Sequence, residues 1–91
     1  MGPIATAISE KLTRAFQPSR LELADDSDKH AGHAGHNPGG ESHFTVLIES
    51  AVFVGMPRVA RQRAVYAALS QELSGPVHAL SVKAFAPGEP A

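Results

Sequence analysis

The chemistry this sequence offers lies mainly in five histidines, three of which stand together. His30, His33 and His36 occur in the run HAGHAGH, and His43 and His78 lie further along. Neutral imidazole ligates zinc, copper, nickel and iron near neutral pH. A spacing of three residues in a glycine-rich segment lets two rings converge. HxxHxxH has no fixed geometry of its own, unlike HExxH on a helix. Closing so loose a segment around a metal also costs chain entropy. Two readings stand: a polar loop with adventitious metal affinity, or a segment in which at least one histidine is a specific ligand.

His78 is placed differently. It follows Gly75-Pro76 and shares strand parity with Leu80 and Val82. It reads either as a hydrogen-bonded histidine on the rim of a strand or as a rigid ligand whose partner comes from the loop. Two imidazoles seldom fill a coordination sphere, so the second reading needs a third ligand here or another molecule to complete it. His43 opens a strand-like run and reads mainly as a strand-edge hydrogen-bonding residue.

A second cluster is basic. Arg58, Arg61 and Arg63 fall in the first part of a long helical pattern. On a helical wheel Arg58 and Arg61 lie on the solvent side, and Arg63 flanks the apolar stripe. Positive charge near a helix start is unfavourable unless something anionic meets it. The cluster is read as a nucleic-acid or acidic-protein contact, or as arginine stems covering a sheet edge. Gly55 serves the preceding turn. The local GMPR is not the GxxG of a nucleic-acid-clamping loop.

These side chains need a scaffold. Residues 3–16 have Ile4, Ile8, Leu12 and Ala15 at helical spacing, with Phe16 at the edge of that stripe and Pro3 in the first turn. Residues 20–24 alternate as a half-buried strand. Residues 25–41 lack apolar periodicity and form a long His/Gly-rich loop. Residues 43–49 form a strand with Phe44, Val46 and Ile48 on one face and Thr45 and Leu47 on the other, as suits a central strand. Residues 57–73 form the main helix, its apolar face assigned to Val59, Tyr66, Leu69 and Leu73. Gly75-Pro76 ends it, and residues 77–83 give a third strand. Antiparallel pairing is expected for the first two strands. The crossover helix makes the second and third parallel.

Composition narrows the function classes. The 91 residues form one small domain, 43% hydrophobic, with no run near the ~18 apolar residues of a membrane span. No cysteine is present, so neither a disulfide nor a thiolate ligand comes from this chain. The net charge is −1 and the pI about 6.5, which argues against gripping nucleic acid over the whole surface. No nucleophile elbow, P-loop or dinucleotide fingerprint occurs. The run with Asp25, Asp26 and Asp28 does not match a calcium loop. No enzymatic activity is expected. Without an export signal, the cytosol is the expected location.

Four stretches carry a family resemblance: LELADDSDKHAGH at 21–33, GESHFTVLIES at 40–50, FVGMPRVARQRAVYAAL at 53–69 and ELSGPVHALSVKAFAP at 72–87. With the leading helix they cover nearly the whole chain, which closely resembles the BolA-like proteins. The resemblance implies an α+β domain of order α-β-β-α-β with a short C-terminal helix or turn. Its three-stranded mixed sheet would be similar to class II KH domains. It also implies a monothiol glutaredoxin as partner and a shared [2Fe–2S] cluster. The glutaredoxin cysteine and a glutathione thiol held by that partner supply two ligands, and the BolA-like chain supplies the others. The family's late histidine falls on His78. Its loop ligand falls in HAGHAGH, on His33 first, then His30, with His36 third. The isolated chain would hold no cluster and be a monomer. DNA-linked transcriptional regulation, also attributed to some of the family, is the alternative function, with Gly55, Arg58, Arg61 and Arg63 as contacts. Many members read RHR where this chain has Arg61-Gln62-Arg63, so any role needing a histidine there is absent.

Overall fold

A computed structural model of the chain describes residues 2–26 and 41–90. Helix α1 spans Pro3–Phe16, strand β1 Arg20–Asp25 and strand β2 His43–Glu49. A 3-10 turn, Ala51–Phe53, leads into α2, Arg58–Ala68. A short α3, Ser70–Leu73, and strand β3, Ala79–Phe85, follow. The sheet order is β1-β2-β3, with β1 antiparallel and β3 parallel to the central β2. This is the expected α+β order and pairing, and residues 86–89 close it with a turn rather than a helix.

Strand parity decides where the core lies. Phe44, Val46 and Ile48 are fully buried, and the register puts Leu21, Leu23, Leu80, Val82 and Ala84 on the same face. Ile8 and Leu12 of α1 and Val65 and Leu69 of the α2 region close over that face. Phe53 plugs its end against Phe16, ring centroids 5.2 Å apart. Gln17, at φ 43°, ends α1 by donating its backbone N–H to Thr13 O. Gly55, at φ 79°, turns the chain into α2, a backbone state that favours glycine.

Several expectations need correction. The buried residues of α1 are Ala5, Ile8, Leu12 and Phe16, while Ala15 is exposed. The helix expected over 57–73 is broken at Leu69, whose φ of −108° and ψ of 19° leave the helical region. Its inward stripe is Arg61, Val65, Leu69 and Glu72; Val59 and Tyr66 are exposed. The third strand starts at Ala79, two residues later than expected, because pairing with β2 fixes its register.

Candidate functional site

The parallel pairing brings the starts of β2 and β3 to the same end of the sheet. His43 lies opposite Ala79 there. Ser42 O accepts the backbone N–H groups of His78, at 2.7 Å, and Ala79, at 3.2 Å. His78 therefore stands just before β3, with its backbone fixed and its ring exposed. The rings of His43 and His78 meet edge to face, centroids 6.1 Å apart. His43 is half-buried, and its Nδ1 is 2.9 Å from Ser42 Oγ. Sequence alone reads His43 mainly as a strand-edge hydrogen-bonding residue; the strand register makes it the neighbour of His78.

The same end of the sheet carries the neck of the His/Gly-rich segment. Asp26 donates its N–H to His43 O at 2.7 Å, and its carboxylate accepts the Thr45 hydroxyl. The Asp25 carboxylate accepts the Glu41 N–H at 2.9 Å. The Glu41 carboxylate in turn accepts the Ala5 N–H at 2.8 Å, satisfying one orphan donor of the α1 N-terminus. The segment's two ends are thus tied to each other, to α1 and to the strand carrying His43. His30, His33 and His36 lie outside the described residues.

The donor set decides what this end can hold. Among the described residues no group of three or more histidine, cysteine, aspartate or glutamate side chains could hold a metal ion. Two imidazoles do not fill a coordination sphere, so a metal group held here needs ligands from elsewhere; imidazole as a ligand type suits iron as well as zinc or copper.

The basic cluster separates into unlike parts. Arg58, Gln62 and Arg63 are exposed, and Gly55 sits on an exposed turn. Arg61, expected on the solvent side, is only 7% exposed. Its Nε donates to Met56 O at 2.8 Å and its Nη1 to Ala84 O at 3.2 Å. Both Nη atoms reach the Glu89 carboxylate, at 2.6 and 3.0 Å. Glu89 also accepts the Ala86 N–H at 2.7 Å. The hydrogen bonds from Arg61 and Ala86, with the nearby positive charge of Arg61 and Arg58, push the Glu89 carboxyl down to about 2. Hydrogen bonding to Glu89 raises the Arg61 pKa further. Sequence reading missed Glu89 altogether. Its role is visible only once the C-terminal turn folds back onto α2.

Compared with known families, residues 12–89 match the model described as BolA-like protein. The chain belongs to the BolA family. A Sinorhizobium sp. relative, described as "Uncharacterized protein in cobS 5'region", is 48% identical over 88 residues, covering 96% of this chain and 95% of that one. The BolA-like protein 1 of Bos taurus is 45% identical over 89 residues, which are 98% of this chain and 63% of the bovine protein. The solved BolA domain of SufE1 from Arabidopsis thaliana superposes with a TM-score of 0.88 at 40% identity, covering 99% of both chains. The BolA fold is thus present with His78 immediately before β3 and with Gln62 exposed on α2.

Proposed function

We propose that this BolA-family protein is a non-enzymatic adaptor that shares or transfers a [2Fe–2S] cluster with a monothiol glutaredoxin, in iron–sulfur and redox homeostasis in the cytoplasm. The observation that carries this reading is His78: an exposed imidazole on a backbone pinned to Ser42, at the sheet end from which the histidine-rich segment leaves. A chain without cysteine has no thiolates for a private cluster. It has imidazoles to contribute to a cluster built mainly on the partner's cysteine and glutathione thiols.

His78 is the fixed ligand in this reading, and His33 is the adjustable one, with His30 and then His36 as alternatives. The cluster supplies one-electron chemistry, and imidazole ligation raises its potential and couples it to protons. The chain's own part is to present His78 in one place, with the His43 ring against it. No helix among the described residues is long and apolar enough to cross a membrane.

The test is to assemble the complex with glutaredoxin, glutathione, iron and sulfide, and to compare its visible spectrum and cluster lifetime with those of His78→Ala and His33→Ala complexes. Changed bands or a shortened lifetime are expected. Unchanged spectra and lifetimes after replacing His78 and each loop histidine would reject direct ligation. The DNA-binding alternative has less support: Arg58 and Arg63 are exposed, but Arg61 is spent on Glu89 and backbone carbonyls.

A further inference from the structure

Strand β3 is an edge strand, and its outer edge is distinctive. Ser50 N–H donates to Phe85 O, so the odd-numbered residues of β3 face β2. Leu80, Val82 and Ala84 therefore turn their N–H and C=O groups outward. Two of those carbonyls are already engaged by α2: Tyr66 Oη donates to Leu80 O at 3.2 Å, and Arg61 Nη1 to Ala84 O. The N–H and C=O of Val82 between them have no side-chain partner among the described residues. The edge thus offers three outward N–H donors and one unengaged carbonyl.

A cleft of about 570 Å³ runs along this edge, between α2 and the C-terminal turn. That is the size of a ligand-binding cleft. Met56, Arg58, Gln62, Val82, Lys83 and Glu89 help to line it. Arg58 and Lys83 are exposed and have no ion pair among the described residues. The one carboxylate, Glu89, is taken up by Arg61 and the Ala86 N–H. The cleft is therefore positive and rich in backbone donors. The aromatic residue that lines it, Phe85, is only 6% exposed, and the exposed Tyr66 on the same edge is tethered to Leu80 O, which disfavours a base-stacking platform.

We propose that this cleft binds an extended acidic peptide segment of a partner protein, which adds to the sheet beside Val82 and sets carboxylates against Arg58 and Lys83. Strand addition to an exposed edge takes its affinity from main-chain hydrogen bonds and its specificity from alternate side chains. Lys83 lies on the sheet face opposite the core, and Arg58 belongs to the helix that covers the core face. Successive residues of an added strand point to opposite faces, so two adjacent acidic residues meet one cation each. The capped carbonyls of Leu80 and Ala84 limit the addition to a short stretch. At ~3.3 Å per residue, Ala84 lies about 20 Å along the strand from His78. The surface is separate from the histidine pair and does not depend on any bound cluster.

The test uses the full ¹⁵N-labelled chain, the capped hexapeptide acetyl-TVEDVT-amide and its neutral counterpart acetyl-TVQNVT-amide. The acidic peptide is expected to shift the amide signals of Val82 and Ala84 in a saturable way and to bind more tightly than the neutral one. Arg58→Ala and Lys83→Ala, both at exposed positions, should each weaken it about two- to fivefold, and added salt should weaken it further. Shifts that miss the β3 edge, equal binding of the neutral peptide, or no response to either substitution would overturn the proposal. So would an oligothymidine that shifts Val82 and Ala84 when the peptide does not.

Discussion

Glu41 ties the neck of the histidine-rich segment to α1, and a double-mutant cycle with Gly2 measures that tie. The N-cap of α1 is Gly2, which has no side chain to cap with, and the first turn holds no acidic residue. Glu41 reaches across the fold instead and accepts the Ala5 N–H at 2.8 Å. Glu41→Ala removes this bond and should cost about 1 kcal/mol, as for loss of an N-cap side chain. Gly2→Ala should remove it by another route. A Cβ at residue 2 would overlap both oxygens of the Glu41 carboxylate. The carboxylate is the free end of a flexible side chain, so it swings away and the cap is lost. Each single variant should therefore lose about 1 kcal/mol, with a few tenths more for alanine at the N-cap. The double variant should lose about 1 kcal/mol rather than about 2, an interaction energy near 1 kcal/mol. Urea unfolding reads this as a midpoint shift of roughly 0.5–1 M. Fully additive losses would refute the shared mechanism, as would a Gly2→Ala protein as stable as the parent.

Other outcomes follow from the packing and the charges. Phe53→Ala empties a site that is 0% exposed beside Phe16; a loss of about 3–5 kcal/mol is expected in chemical denaturation. His78→Ala should change the stability of the isolated chain by less than about 0.5 kcal/mol, because the ring is exposed and the backbone bond to Ser42 survives; a large loss would give His78 a structural role. Glu89 titrates at about 2 in the fold against its usual 4.5. Its stabilising contribution is therefore complete above pH 4.5 and lost as pH falls toward 2. Glu89→Gln should be less stable than the parent at pH 6, and the gap should close by pH 2, followed by denaturation at each pH.

Much of the fold could be read from local pattern. Helix 3–16 and strand 43–49 occur with the expected bounds, because a helical stripe and strict alternation each have one favourable local solution. The antiparallel and parallel pairings followed from the length and helical character of the connections. The α2 face was misread for a physical reason. A stripe of Arg61, Val65, Leu69 and Glu72 has charged residues at both ends, and an apolar count discards them. Both charges are buried because tertiary partners exist: Glu89 and two carbonyls for Arg61, and Lys11 Nζ at 2.6 Å for Glu72. The start of β3 was equally indistinct, since alternation runs from residue 77 through 85 and only pairing with β2 picks the register.

By itself the sequence determined the family, the element order and the place of His78 beside the third strand. All three rest on residue types at fixed local spacing. Tertiary structure alone decided that His43 stands against His78, that Glu41 caps a helix 36 residues away, and that Arg61 belongs to the interior. Those contacts join residues distant in the chain, and their geometry exists only after the sheet register and the helix packing are set.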